Sequence, residues 1–248
     1  MAEEQLYDTI GVGYAQARRA DPHVFRQVLD ALGDAERVVN VGAGTGNYEP
    51  VDRYVVAVEP NAVMAAQRSI DAPVLRAFAE SLPLADNSFD AALAMFTIHH
   101  WPDRNAGLAE LGRVARRQVA LVYDEAVTRS FWLGEYFPSL RGPSHSGHPS
   151  SEWMTTTLDL VDVRPLMVPA NCTDGFAGCY WNRPHRYLEP QVQAGMSVLA
   201  RLSTEERRNC TTALAAEIES GAWDAKHGHL RDLDELDIGY RLVICQTR

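Results

Sequence analysis

The chain has 248 residues, a formal net charge of −10 and 46% hydrophobic residues. That length suits one α/β domain with a large core, and the acidic balance argues against a protein that gains affinity by neutralising nucleic-acid phosphates. No run of about 18 apolar residues occurs, so no membrane-spanning helix is expected.

The start, Met1-Ala-Glu-Glu-Gln, is acidic and has no apolar core, so no signal peptide is expected and the expected location is cytoplasmic. Cys172, Cys179, Cys210 and Cys245 have no close zinc-type spacing and read as reduced thiols. Leu6, Tyr7, Ile10, Tyr14 and Ala17 suggest a short helix or a pair of turns, with Tyr7 and Tyr14 reading equally as packing or pocket residues. Asp21-Pro22 opens a helix whose apolar face is Val24, Phe25, Val28, Leu29 and Leu32, and Gly33 closes it.

Val38 to Val41 is an apolar strand that breaks into Gly42-Ala43-Gly44-Thr45-Gly46-Asn47. A glycine-rich turn after a strand aims backbone N–H groups at an anionic or polar ligand. Its G-x-G-x-G spacing differs from the G-x-G-x-x-G dinucleotide fingerprint, which argues against NAD and FAD. The next strand, Tyr54 to Val58, ends in Glu59-Pro60, a carboxylate where the second strand of such a unit meets ribose hydroxyls. Pro50 leaves room for only a very short helix between the two strands.

Asn61 to Ser69 is expected to be helical, Val74 to Phe78 a third strand and Ala91 to Phe96 a fourth, buried on both faces. Arg104 to Arg116 has helical spacing, and Val119 to Asp124 is a fifth strand. Residues 125–150 read as a mobile loop with an aromatic lip; Gly147 and Pro149 deny His145 and His148 a helix, so no metal site is expected. Ser151 to Leu158 is expected to be helical and Leu160 to Val168 a sixth strand. The segment 171–236 is an insertion with an aromatic cluster and two helices, about 190–202 and 204–220, the second opening on a Ser203/Glu206 capping box. Ile238 to Gln246 is the last strand. Strands and helices in alternation indicate a doubly wound α/β sheet.

Four blocks in order resemble the class I S-adenosylmethionine-dependent methyltransferase family. They are Gly42 to Gly46; Glu59; Ala79-Glu80-Ser81-Leu82-Pro83-Leu84 with Asp86-Asn87-Ser88-Phe89-Asp90; and Met95-Phe96-Thr97-Ile98-His99-His100-Trp101. The last two are similar to the small-molecule and quinone methyltransferase branch, and together the blocks span roughly residues 38–124. Phe78 stands where that family often has an aspartate before Ala-Glu.

The resemblance implies S-adenosyl-L-methionine as methyl donor and S-adenosyl-L-homocysteine as product. It implies a Rossmann-like seven-stranded sheet, mostly parallel with an antiparallel last strand, plus a helical cap insertion. Within a single domain, 1–35 would be an N-terminal helical lid, 36–124 the cofactor-binding core, 125–150 the mobile aromatic loop and 171–236 the cap. By the same resemblance Gly42, Ala43, Gly44, Thr45, Gly46 and Asn47 hold the methionine end, and Glu59 with Pro60 the ribose. Met64, Ala79, Glu80, Ser81, Phe96 and Thr97 complete the cofactor site, and Tyr14 or Arg18 reaches the methionine carboxylate, which an arginine can grip bidentately.

Methyl transfer from a sulfonium is an in-line displacement, so orientation and exclusion of water dominate. Aromatic walls bind a flat apolar acceptor and can face a cation, which makes Tyr7, Trp101, Phe131, Trp132, Tyr180 and Trp181 pocket candidates, with His185 beside them. His99 and His100 are candidate bases, pointing to opposite sides if extended; Asp124 and His185 are the alternatives. The expected partner is a small aromatic or apolar methyl acceptor, with neither nucleic acid nor membrane. The absence of an Asn/Asp-Pro-Pro-Tyr/Phe motif after the fourth strand argues against methylation of adenine N6 or glutamine. Other chemistry using bound S-adenosylmethionine, a macromolecular acceptor and a non-catalytic partner subunit are the rival readings.

Overall fold

In the computed structural model, which describes residues 14–141 and 149–248, seven strands form one sheet in the order β3-β2-β1-β4-β5-β7-β6. The strands are β1 (Arg37–Val41), β2 (Tyr54–Val58), β3 (Val74–Leu75), β4 (Phe89–Ala94), β5 (Ala115–Tyr123), β6 (Asp159–Pro169) and β7 (Glu235–Gln246). β1 to β5 pair in parallel, and β7 lies antiparallel between β5 and β6. Helices α1 (Tyr14–Ala17) and α2 (Pro22–Leu32) precede β1, α3 (Ala62–Ala66) joins β2 to β3, and α4 (Arg104–Val114) joins β4 to β5. Between β5 and β6 come α5 (Glu125–Ser130), α6 (Leu133–Tyr136) and α7 (Ser151–Met154). Between β6 and β7 come α8 (Pro190–Ala194), α9 (Ser197–Ala200), α10 (Thr204–Glu219) and α11 (Ala222–His227).

The central strands read as unbroken apolar runs because both of their faces are buried. Val38, Val55, Ala91, Leu93 and Leu121 point into one core, while the alternating Val39, Val56, Ala92 and Val122 point into another. The first core is closed by Val24, Val28 and Leu32 of α2 and by Trp181, Leu214 and Trp223 of the segment before β7. The second is closed by Leu108, Leu111 and Val114 of α4. This is the doubly wound arrangement, and the strand order reverses between β1 and β4. The carboxyl ends of β1, β2 and β4 therefore open side by side, where ligands of such sheets bind.

Local signals set the helix starts. Asp21 Oδ1 accepts the His23 and Val24 N–H groups at 2.9 and 3.2 Å, and Ser203 and Glu206 form the capping box. Among the described residues no helix is long and apolar enough to cross a membrane.

Several expectations are corrected. No helix joins β1 to β2, because Gly42, Gly44, Gly46 and Tyr48 all have positive φ, incompatible with a right-handed helix. β4 stops at Ala94; Phe96, at φ 54°, turns the chain, and His99 and His100 sit in a short 3₁₀ turn, Ile98–His100, rather than on an extended strand end. Residues 125–137 are not an open aromatic loop: they form α5 and α6, with Trp132, Leu133 and Phe137 in the core. The turn at Gly195 splits the expected 190–202 helix into α8 and α9. His145 and His148 lie outside the described residues.

Candidate active site

Two cavities meet at the carboxyl ends of β1, β2 and β4. The first, about 150 Å³, lies over the glycine turn; the second, about 530 Å³, lies between the turn after β4, the end of β5, α5, β7 and the segment before β7. Tyr14, Arg18, Phe96 and His100 line both.

The floor of the first cavity follows from the glycine turn. The N–H groups of Gly42 and Ala43 both donate to the Val58 carbonyl, at 2.9 and 3.0 Å, which folds the turn back against the end of β2. A Cβ at Gly42 would lie 1.8 Å from Thr97 Oγ1, so the loop after β4 packs directly on the turn. Glu59, 6% exposed, accepts the Gly44 N–H on Oε2 at 2.7 Å and the Asn61 N–H on Oε1 at 2.8 Å. Burial raises its carboxyl above the usual carboxylate range, with the two N–H donors and Arg68 and Arg76 pulling the other way. Each oxygen keeps acceptor capacity beyond its one N–H, beside a cavity that Glu59 lines.

Of the residues expected to hold a cofactor, Tyr14, Arg18, Gly42, Ala43, Gly44, Thr45 and Asn47 line this cavity. So do Glu59, Pro60, Met64, Ala79, Glu80, Phe96 and Thr97. Gly46 and Ser81 do not. Gly46 backs onto Arg68, whose Nη1 would lie 3.3 Å from an added Cβ, and Arg68 is buried against Glu49 at 2.5 Å. Ser81 is exposed, its N–H donating to Phe78 O at 3.2 Å in a turn. Tyr48, Asn61, Phe78, Met95 and Pro102 line the cavity without having been singled out as cofactor ligands. Phe78, at 46% exposure, leaves an aromatic face at its edge.

The second cavity has an aromatic wall. Phe96 stacks on Phe176 at 5.2 Å between ring centres, Tyr240 meets both edge-on at 5.6 and 5.5 Å, and Tyr123 meets Tyr240 at 5.5 Å. Opposite strands supply the last pair, since Tyr123 of β5 faces Tyr240 of β7 in register. Burial pushes both phenols well above their ordinary range, so both stay protonated as hydrogen-bond donors. Leu133, Leu140, Val198 and Ile238 add apolar surface, and Glu125 and Arg129, each about half exposed, pair across one turn of α5. His99 lines this cavity alone, with its ring 3.9 Å from that of His100.

The remaining pocket candidates divide between the cavities and the core. Phe131 lines the second cavity, and Trp101 lines the first, its Nε1 donating to Thr97 Oγ1 at 3.2 Å. Trp132, Tyr180 and Trp181 line neither cavity: they fill the core. Trp132 Nε1 donates to Trp181 O at 2.7 Å and Trp181 Nε1 to Val168 O at 3.0 Å, so their polar edges are spent on backbone. His185 is exposed on a 3₁₀ turn, Pro184–Leu188, away from both cavities. Asp124 caps α5 and pairs with Arg241 at 3.0 Å, which leaves it a structural acceptor rather than a base at the cavities. Tyr7 lies outside the described residues.

A core role for Trp181 predicts that Trp181→Ala costs about 3–5 kcal/mol of stability, read as a lower denaturant midpoint. A cavity-wall role would leave that midpoint unchanged.

Comparison with known proteins converges on this stretch. A family model described as "Methyltransferase domain" matches residues 39–123. A crystal structure from Anabaena variabilis, described as a candidate methyltransferase from an antibiotic biosynthesis pathway, superposes with a TM-score of 0.84 at 28% identity, covering 93% of this chain and 99% of that one. A demethylmenaquinone methyltransferase from Mycobacterium sp. (strain KMS) is 32% identical over 108 residues, 40% of this chain and 47% of the relative. A tRNA (carboxymethyluridine(34)-5-O)-methyltransferase from Schizosaccharomyces pombe is 27% identical over 145 residues, 58% of this chain and 62% of the relative. The chain spans about half the length of the first curated relatives it matches, 47% in each case. With the matched block, the sheet order and the floor of the first cavity all falling on one stretch of sequence, the chain carries a methyltransferase domain over residues 39–123 and is similar in fold and sequence to class I S-adenosylmethionine-dependent methyltransferases.

Proposed function

We propose that the protein transfers a methyl group from S-adenosylmethionine to a small aromatic or apolar organic acceptor, releasing S-adenosylhomocysteine. The observation that carries this reading is the junction of two cavities, one over the glycine turn and one with an aromatic wall, at Tyr14, Arg18, Phe96 and His100. The second cavity, about 530 Å³, is of small-ligand size.

The residues present fit the donor. Glu59 offers a buried carboxylate with spare acceptor capacity to the ribose hydroxyls, Gly44 supplies a positive-φ turn at the cavity floor, and Met64 and Phe78 offer apolar faces. When bound, that group supplies an electrophilic methyl on a sulfonium whose C–S bond electrons return to sulfur as the acceptor's lone pair forms the new bond. The chain's part is to hold the acceptor in line, exclude water and receive the acceptor's proton. His100 stands at the junction for the last task, with His99 beside it. In this reading His100→Ala slows turnover about 10²-fold or more while S-adenosylhomocysteine binding stays at the wild-type level. Unchanged turnover would remove His100 from the mechanism.

The test of the reaction is incubation with methyl-labelled S-adenosylmethionine and a cell extract. Label entering solvent-extractable small molecules supports the reading. The relative acting on tRNA gives a second reading, a nucleic-acid acceptor, under which label would enter RNA. The net charge of −10 weighs against it.

A further inference from the structure

One buried carboxylate outside the matched block joins three separate segments at the cavity junction. Asp174, fully buried in the segment before β7, grips Arg18 bidentately, Nε to Oδ1 at 2.5 Å and Nη2 to Oδ2 at 3.1 Å. Its Oδ2 also accepts the Tyr48 hydroxyl at 2.5 Å, and its Oδ1 the Gly175 N–H at 2.6 Å. Arg18 Nη1 in turn donates to the Tyr14 hydroxyl at 2.7 Å. The loop is held against α1 closely, since a Cβ at Gly175 would lie 2.2 Å from the Ala17 carbonyl oxygen. A side chain from α1's edge and one from the end of the glycine turn thus converge on a single anion in the segment before β7.

The charge at this point matters for the chemistry. Of the four residues lining both cavities, Arg18 carries a charge that persists at any physiological pH, and it is 7% exposed. In-line transfer from one cavity to the other requires the reacting methyl, and so the sulfonium that bears it, to sit at this junction. A lone guanidinium there would repel a sulfonium. The ion pair with Asp174 removes that repulsion while leaving Arg18 in place over the Phe96 ring, its Cζ 5.3 Å from the ring centre.

We infer that Asp174 is a charge-balancing positioning residue: by neutralising Arg18 at the cavity junction it allows a cationic methyl donor to bind there. The inference rests on the cofactor reading above. It makes a prediction that a purely structural role does not, because S-adenosylmethionine is a sulfonium whereas S-adenosylhomocysteine is a neutral thioether otherwise alike. Loss of packing, or of a contact with the amino-acid end that both ligands share, weakens both equally; loss of charge balance weakens the cation selectively.

The experiment is calorimetric titration of both ligands into wild type, Asp174→Asn, Arg18→Gln and the double variant, read as the ratio of the two dissociation constants. Unit charges a few ångströms apart in a part-buried site shift affinity by about tenfold or more. Asp174→Asn is expected to weaken S-adenosylmethionine relative to S-adenosylhomocysteine by at least about tenfold. Arg18→Gln, measured at pH 8, shifts the ratio the other way, and the double variant, in which both charges are gone, returns it close to wild type. Should Asp174→Asn fail to fold, because it leaves a buried cation unpaired, the other two variants still decide the question. A ratio unchanged across the folded variants, with both ligands bound, overturns the inference alone. Binding of neither ligand by wild type overturns the cofactor reading and this inference with it.

Discussion

Glu59→Ala is expected to weaken S-adenosylhomocysteine binding by about 10²-fold. The carboxylate lies buried at the end of β2, where it faces the first cavity and also accepts the N–H groups of Gly44 and Asn61. A hydrogen bond to a charged group contributes about 1.5–3 kcal/mol, and a ribose offers two hydroxyls to one carboxylate. Truncation removes those contacts and also frees the Gly44 N–H, so the turn loses an anchor on the same step. Glu59→Gln keeps one acceptor oxygen and should fall between wild type and alanine. Equal binding by wild type and the alanine variant in a calorimetric titration would remove Glu59 from the cofactor site.

A combined loss of stability and binding is expected at Gly42. A residue there must adopt φ 71°, and its Cβ would lie 1.8 Å from Thr97 Oγ1, with Thr97 fixed by its own bond from Trp101 Nε1. Left-handed backbone costs about 1–2 kcal/mol for a residue with a Cβ, and overpacking a filled site about 1–3 more. Gly42→Ala should therefore lose about 3 kcal/mol, a large fraction of the 5–15 kcal/mol typical of a domain, and lose cofactor binding as well. Gly221 provides the control: it also has positive φ, at 76°, but nothing lies within 4 Å of an added Cβ. Gly221→Ala should cost about 1 kcal/mol and leave binding intact. Equal denaturation midpoints for the two variants would contradict the packing of Thr97 on the turn.

Local signals in this sequence specify their structure, and non-local ones do not. The glycine turn, Glu59 and the apolar runs of β1, β2 and β4 were legible because each signal occupies a few adjacent residues: strand, turn, then carboxylate at the end of the next strand. The helix starts at Asp21 and Ser203 were legible for the same reason, since a cap and the N–H groups it satisfies are neighbours. The histidine pair was legible as a position but not as a conformation. Phe96 takes φ 54°, a turn usually made by glycine, so nothing in the residue types announced that the strand had already ended.

Aromatic residues misled for a physical reason. Trp132 and Trp181 fill a core beside the sheet, and composition does not distinguish a ring packed in a core from a ring lining a cavity. What separates them is where their indole N–H groups go, and both go to backbone carbonyls. The pairings that build the aromatic wall of the second cavity and the Arg18 cluster were invisible because the partners are far apart in the chain. Tyr123 meets Tyr240 through the antiparallel register of β5 and β7, and Tyr48 meets Asp174 across 126 residues. No local spacing encodes either meeting.

The central claim is that the cavity over the glycine turn binds S-adenosylmethionine and its demethylated product. The most direct test is calorimetric titration of the purified, cofactor-free protein with each ligand, followed by displacement of one by the other. The account predicts saturable binding of both at one shared site on each chain, weakened by Glu59→Ala; absence of binding by either ligand, or binding that Glu59→Ala leaves unchanged, would contradict it.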